Sequence, residues 1–456
     1  MRRRIAYPSQ KRLRITYLVS CAVLILMGSN PVVSLFAQSV PGHQEKASKE
    51  QVREVLSSPS MQGLYARTYW SLKERRQSDG FLPESLTGAY QGMFPRTVGA
   101  YALLMTETRQ YEAAEQSVAC VLTALRQNDY TRVPRVIGKH GSAYYIEDDE
   151  AQIDGQAQLI LGWARLALAR GRTPFEDRTW KQVSDLLSSG TDRPYLQYGQ
   201  FPSQNGLVRN VAFEHSREGR FWDTWDLLTQ SFMGAALHDM VLIAKRRGET
   251  EAAAVWQKRL DILSGGMMKS LTTERDGQET YLEMRLPNSA AGVPYMGMGW
   301  VVLSPLAAGW TPNVQVLSNT VSALERTNLK TTHGQVWMPT DGYADGTFSN
   351  EIIGKGQAWE MEYARTHDEW TRVMQILNLI KTVNTPSLYM EGAWLENSSY
   401  HLSQRLSDSD LPGLEHATWK VKDAGNGEQD TWFCWEMARL RQQFGLPVEP
   451  PQPPAN

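Results

Sequence analysis

Cysteine is nearly absent from this chain: Cys21, Cys120 and Cys434 are the only three in 456 residues. So few thiols exclude a disulfide scaffold, and their spacing excludes a zinc clip. An excess of one charge is also lacking. The 47 Lys and Arg stand against 49 Asp and Glu, a formal charge of −2. This balance excludes a strongly basic nucleic-acid binder and an acidic solvating tail protein. None of the eight His forms an HxxxH pair, and neither a Gly-x-Ser-x-Gly nor a phosphate-cradling loop occurs. Zinc hydrolases, serine hydrolases and nucleotide enzymes therefore lose ground, and no metal or cofactor is expected. Fixed-period repeats are missing too, which argues against a helical solenoid. What is present is ordinary for a core-forming chain, with 41% hydrophobic and 21% charged residues. Aromatics are plentiful, at 15 Trp and 18 Tyr. Such rings suit sugar faces, interfaces or a core.

The N-terminus reads as an export leader. Arg2, Arg3, Arg4, Lys11, Arg12 and Arg14 precede the apolar stretch Ile15 to Met27, with a small-residue exit around Ala37. That stretch is shorter than the ~20 apolar residues of a membrane span. Residues 1–37 are thus expected to be a signal peptide and the body to be periplasmic or extracellular. If the leader stays uncleaved, it anchors the same body to a membrane. Leu18-Val19-Ser20-Cys21 has the look of a lipoprotein box, but the apolar run lies mostly after Cys21, so lipidation is not expected. Cys120 and Cys434 are expected as buried thiols, with pairing as the alternative.

After a polar spacer over 38–50, apolar residues recur at helical spacing through one domain at 51–446. Helices are expected over 51–76, 96–107, 111–126, 152–170, 180–188, 224–247, 250–273, 313–326, 357–365, 368–383 and 428–444. Long connectors rich in Gly, Pro, Tyr and Trp separate them, and strand-like alternation is confined to the connectors. Helical hairpins joined by long loops imply an all-α architecture whose loops gather at one end and carry the chemistry. The Pro-rich tail at 447–456 is expected to be extended and unpacked.

Three acidic constellations stand out. Phe221-Trp222-Asp223-Thr224-Trp225-Asp226 opens a long apolar run. On a helix, Asp223 and Asp226 share one face. A carboxyl held against Trp222 and Trp225 is desolvated, which raises its pKa and suits acid catalysis. An ordinary N-cap is the alternative for Asp223 in particular. Gly425-Asn426-Gly427 delivers Glu428 to the start of the last helix, either as a functional acid or as a helix-favouring one. The run Glu147-Asp148-Asp149-Glu150 has the default reading of a solvated charge patch. Asp154 beyond it lies on an otherwise apolar helix face, as a substrate acceptor or a buried polar residue. Glu360, Glu362, Glu391 and Glu396 are weaker candidates, and Arg96 is either a fork donor to sugar hydroxyls or a solvated helix-start cation.

The order of these features resembles the six-hairpin glycoside hydrolases, in particular the glucoamylase family (glycoside hydrolase family 15) and its trehalase and processing-glucosidase relatives. The similarity runs as short matches over Ser71 to Phe444. Gly88-Ala89-Tyr90 with Met93-Phe94-Pro95-Arg96 is similar to a Trp-Pro-Arg-Asp stretch that contacts sugar, with Phe94 and Thr97 replacing Trp and Asp. Glu150 to Gln158 looks like the start of the next inner helix. Asp223-Thr224-Trp225-Asp226 resembles an Asp-x-Trp-Glu stretch carrying the general acid, which puts Asp226 in that role; trehalase-like relatives point to Asp223 instead. Glu428-Gln429 resembles the Glu-Gln element with the catalytic base. The resemblance implies a six-hairpin α/α toroid and inverting hydrolysis of a carbohydrate. Asp226 and Glu428 would then be catalytic, with Glu391 or Glu396 as other candidates for the base. Arg96, Asp154, Glu396, Trp222, Trp225, Trp300, Trp337, Trp394, Tyr90 and Tyr295 would line the sugar site. A lyase or epimerase on the same scaffold, and a non-catalytic carbohydrate-binding or envelope protein, are the competing readings.

Overall fold

Helices form where the apolar spacing predicts them, and they form as consecutive hairpins. The computed structural model describes residues 46–85, 91–192, 205–214, 221–286, 292–293, 299–332, 334–340, 351–352, 354–384, 399–403, 418–423 and 426–452. The leader and most of the spacer lie outside them. The helix expected over 51–76 is two helices, because Pro59 has no N–H with which to continue the first. α1 (Lys49–Ser57) ends there, and α2 (Pro59–Arg75) starts with Ser58 as N-cap and Pro59 at its first position.

Three hairpins follow: α3 (Pro95–Glu107) with α4 (Tyr111–Gln127), α5 (Ile153–Arg170) with α6 (Pro174–Asp192), and α7 (Leu227–Arg247) with α8 (Thr250–Ser270). Two short helices that periodicity does not reveal, α9 (Gly299–Val302) and α10 (Ser304–Ala308), precede α11 (Val314–Asn328). α12 (Gly354–Thr366) with α13 (Trp370–Val383) comes next, and α14 (Gly427–Gln443) is last. The leading helices pack on one another in a closed circuit: α3 on α5, α5 on α7, α7 on α10, α10 on α12, α12 on α14, and α14 back on α3. Helices α4, α6, α8 and α13 back this ring, and α2 backs α14. The result is a six-membered α/α toroid.

Burial explains why the inner helices lack a solvent-facing polar stripe, although α12 and α14 bury charged residues in ion pairs. α7 is buried along nearly its whole length and has no polar face, whereas α4 and α11 are amphipathic. The closest crossing, α3 on α5, is made by glycines. A Cβ on Gly162 would stand 2.5 Å from the Gly99 carbonyl oxygen, and one on Gly99 would stand 2.3 Å from that of Gln158.

The strands sit in the connectors. β1 (Val136–His140) pairs with β2 (Ala143–Asp148). β3 (Asn210–Glu214) pairs with β4 (Phe221–Asp226), and β5 (Thr272–Arg275) with β6 (Gln278–Tyr281). β7 (Met284–Arg285) joins β4 to β8 (Gly292–Val293) in a four-stranded sheet. β9 (Lys330–Thr332) pairs with β10 (Gln335–Trp337), and β11 (Glu351–Ile352), β12 (Ser399–Ser403) and β13 (Thr418–Asp423) form a three-stranded sheet.

The Pro-rich tail is not unpacked. Over 447–452 it lies on α2: the Tyr65 hydroxyl donates to the Val448 carbonyl, Trp70 Nε1 to those of Pro450 (3.2 Å) and Pro451 (3.1 Å), and Lys73 pairs with Glu449 at 3.0 Å. Cys120 and Cys434 are both free and buried.

Candidate active site

The starts of the inner helices meet at one end of the toroid, and the charged residues of the site belong to those starts. Arg96 is the second residue of α3, Asp154 of α5, Lys355 of α12 and Glu428 of α14, while Asp226 is the N-cap of α7. Each helix N-terminus carries partial positive charge from its unpaired N–H groups, so converging several of them favours carboxylates there. The groups are linked. Lys355 Nζ lies 3.1 Å from Glu428 Oε2, and Arg96 Nη2 lies 3.5 Å from the same oxygen. Asn210 of β3 donates from Nδ2 to Asp154 Oδ1 and to Thr229 Oγ1, both at 3.1 Å. Thr229 in turn donates its N–H to Asp226 Oδ1 at 2.6 Å and its hydroxyl to Oδ2 at 2.9 Å.

Burial then separates the acids. Asp226 is fully buried; desolvation, and next the charge of Asp154, push its carboxyl up to about 7. Asp154 is raised by desolvation, which Arg96 and the Asn210 hydrogen bond only partly offset. Its Oδ2 has no hydrogen-bond partner among the described residues. Desolvation also works to raise Glu428, but Arg96 and Lys355 outweigh it and hold this carboxyl below the ordinary range. Glu84, just before this region, is raised by burial and by Glu428, whose backbone N–H it accepts at 3.2 Å.

Several sequence expectations change here. Asp223 and Asp226 do not share a helix face, because 221–226 is strand β4 and residues three apart on a strand face opposite ways. Asp223 points out and pairs with Arg209 through both oxygens. Trp225 is half-buried on the same side, with the Arg209 guanidinium 5.9 Å from its ring centroid. Trp300 is not an open stacking platform: it is 1% exposed, and Lys355 Nζ sits 3.9 Å from its ring centroid. Trp337 is buried beside Thr332, to which its Nε1 donates at 3.0 Å. Glu360 pairs with Arg372 and Glu362 with Arg439 and Arg365, so both are tied into ion pairs. Arg96 reaches Glu428, and it lies 6.0 Å over the ring of Phe94. Tyr90, Tyr295, Glu391, Trp394, Glu396 and the side chain of Trp222 lie outside the described residues.

Sequence reasoning missed Lys355, Asn210, Thr229 and Glu84. Lys355 had a signal: Gly354-Lys355-Gly356 puts a cation at a helix start, where an acid is favoured. The acidic run is solvated as expected, with Glu147, Asp149 and Glu150 exposed, and it also borders an open cleft. Glu147 to Glu150, with Phe94, Arg135, Gly92 and Val136, line a cleft of about 480 Å³, and Phe94 joins it to the start of α3. Arg135 pairs with Asp148 at 2.7 Å and Arg132 with Asp149 at 2.9 Å. Among the described residues, no group of three or more His, Cys, Asp or Glu is placed to hold a metal ion.

No protein-family model and no curated protein sequence matches the chain. Solved structures do. A metal-independent α-mannosidase from Streptococcus pneumoniae, in a non-productive complex with α-1,6-mannobiose, aligns with a TM-score of 0.59 and 13% identity over 87% of this chain and 100% of its own. A bacterial glucoamylase complexed with acarbose gives 0.55 and 14% over 85% of this chain and 56% of its own. The family 63 mannosylglycerate hydrolase of Thermus thermophilus, in complex with glucose, gives 0.53 and 12% over 82% and 99%. The fold is that of the six-hairpin glycosidases.

Proposed function

We propose that this chain is an exported glycoside hydrolase that cleaves with inversion, using Asp226 as general acid and Glu428 as general base. The observation that carries the reading is a pair of buried carboxyls on one ring of helix starts, Asp226 capped by Thr229 and Glu428 paired with Lys355 and Arg96. Asp226, pushed up to about 7, still carries its proton in about half the molecules at neutrality, while Glu428 is held ionised by Arg96 and Lys355 against the desolvation that opposes it. Glycosidic cleavage by inversion needs one carboxyl of each kind. Asp226 gives its proton to the glycosidic oxygen as the C–O bond breaks. Glu428 takes a proton from a water whose oxygen bonds the anomeric carbon from the opposite face. Asp154 and Arg96 then offer an acceptor and a donor to sugar hydroxyls. The near-neutral chain and the sugar-bound neighbours support an oligosaccharide or polysaccharide substrate. The basic leader with its short apolar run supports export.

The test is turnover on a panel of oligosaccharides by the wild type, Asp226→Asn and Glu428→Gln, with the anomer of the first product read by NMR. Each variant is expected to lose at least 100-fold, the scale of a lost acid or base, and the product to be inverted. Residual activity equal to wild type in either variant removes that assignment, and a retained anomer removes the inverting mechanism. One observation favours a second reading. Both Asp226 oxygens accept from Thr229, as in a plain N-cap. Tight sugar binding without turnover would make the chain a carbohydrate-binding protein.

A further inference from the structure

Lys355 is a buried cation at the end of a helix where a cation is disfavoured. It is 3% exposed, and both ends of the residue are pinned. Its backbone N–H donates to Gln429 Oε1 at 2.7 Å; its Nζ lies 3.1 Å from Glu428 Oε2 and 3.9 Å from the centroid of the Trp300 ring. Gln429 and Glu428 are neighbours in α14, so one lysine fixes the start of α12 to the start of α14 at two points. The Trp300 face supplies a further electrostatic contact, a cation over an aromatic ring in a desolvated place. Arg96 approaches Glu428 at the same Oε2. Both cations thus approach the same carboxylate oxygen, Oε2.

We propose that Lys355 is a positioning residue: braced on Trp300, it holds Glu428 by Oε2 and turns Oε1 toward the attacking water. This rests on the reading of Glu428 as the base. It also gives Trp300 a different task from sugar stacking, that of backing the lysine. Glu428 is faced by Arg96 from α3, Lys355 from α12, Asp154 from α5, and Glu84 from the segment before α3. On its own helix, Asp430 is paired with Arg75 of α2 at 3.0 Å. Without Lys355, Arg96 alone opposes burial and two neighbouring acids, so Glu428 will take up its proton at higher pH.

Two measurements on the full chain test this. In the first, Glu Cδ carbons are labelled with ¹³C, the Glu428 resonance is assigned by its loss in Glu428→Gln, and it is titrated by NMR without sugar. Lys355→Met is expected to move the midpoint up by about one pH unit, the usual effect of losing one adjacent opposite charge. Lys355→Arg is expected to restore it. A midpoint that stays put in Lys355→Met overturns the proposal. In the second, the acid limb of kcat/KM on the panel oligosaccharide that is turned over fastest is expected to move up with the NMR midpoint. The alkaline limb, which belongs to Asp226, is expected to stay. An acid limb that does not follow the midpoint also overturns the positioning role. Full turnover by Glu428→Gln instead removes the base itself, and that failure is distinct because it is seen with Lys355 intact.

Discussion

At the scale of single residues, the site trades stability for chemistry, and Asp226 shows it. Its folded-state pKa of about 7 lies above the ordinary value of 3.8 because it is buried and faces Asp154. The folded chain therefore binds this proton more tightly than the unfolded chain. Stability from that proton is fully present below about pH 4 and is lost as pH rises through 7. A rise from 3.8 to about 7 corresponds to at most about 4 kcal/mol. Asn at this position keeps an oxygen for the Thr229 N–H and does not titrate. Asp226→Asn is thus expected to melt near the wild type at pH 4 and above it by a widening margin up to pH 8, in scanning calorimetry across that range. A constant difference would show that Asp226 carries no shifted proton. The same proton sets the alkaline side of activity, which is expected to fall through about pH 7. Asn210 is the complementary case. It bridges Asp154 and Thr229 from inside the ring. Asn210→Ala leaves a buried carboxyl oxygen without its donor, so denaturant unfolding is expected to show a loss of about 1–3 kcal/mol.

At the scale of elements, the long helices of the toroid were legible because burying a stripe or a whole surface imposes a 3.6-residue period, whereas the five-residue ring member α10 is too short to show one. The outer helix α4 and the inner helix α5 both start within two residues of where that period places them. The start of α7 was not. Phe221 to Asp226 reads as the first turn of an apolar helix, yet β-favouring Phe, Trp and Thr pair there with β3 and β7, and the helix begins at Leu227. That local shift decides the site, since it sends Asp223 outward and leaves Asp226 as the cap. Asp226 and Glu428 stood out in the sequence only as acids near expected helix starts, and their catalytic roles came from the family resemblance. Lys355, Asn210 and Glu84 could not be placed, because the acids they serve, Glu428, Asp154 and again Glu428 through its backbone N–H, lie 73, 56 and 344 residues away. Glycines carry a second element-level lesson. Gly162 lies where α5 presses on α3, so Gly162→Ala drives a methyl into the Gly99 carbonyl. A loss of about 1–3 kcal/mol is expected from overpacking, together with lower turnover, because Arg96 and Asp154 ride on those two helices. Gly265 is exposed on α8, and a Cβ there meets nothing within 4 Å. Gly265→Ala is expected to gain about 0.5–1 kcal/mol with activity unchanged. If both alanines behave alike in urea melts, the close α3–α5 crossing is not what holds the ring.

At the scale of the whole molecule, a toroid has a seam where the last hairpin meets the first, and chain ends laid across it hold it shut. α14 must pack on both α12 and α3 to close the circuit. α1 packs on α13, where the Ala47 N–H donates to Thr371 Oγ1 at 3.0 Å and Lys49 lies over Trp370 and Phe444. α2 packs on α14, and the tail runs back across α2. Arg441 of α14 ties these pieces together, donating to the Leu56 carbonyl at 3.1 Å and to that of Pro447 at 2.7 Å. Most of the tail's acceptors on α2 and α14 are backbone carbonyls, so changing its side chains leaves those bonds in place. The exception is Glu449, whose carboxylate accepts from Gln110 Nε2 at 2.9 Å, a bond Gln can keep, and pairs with Lys73 at partly exposed positions, where an ion pair contributes about 1 kcal/mol at most. Glu449→Gln is therefore expected to cost little, whereas ending the chain after Leu446 removes the acceptors of Tyr65, Trp70 and Arg441 at once. At about 1 kcal/mol for each net hydrogen bond, the truncated chain should lose on the order of 3 kcal/mol in urea unfolding. Because the candidate site lies at the helix starts and the tail bonds reach α14 near its other end, kcat well below the melting temperature is expected to be unchanged. Hydrogen exchange should then speed up first in α2 and the last turns of α14. Uniform acceleration around the ring would mean that the tail stabilises the fold without closing a seam.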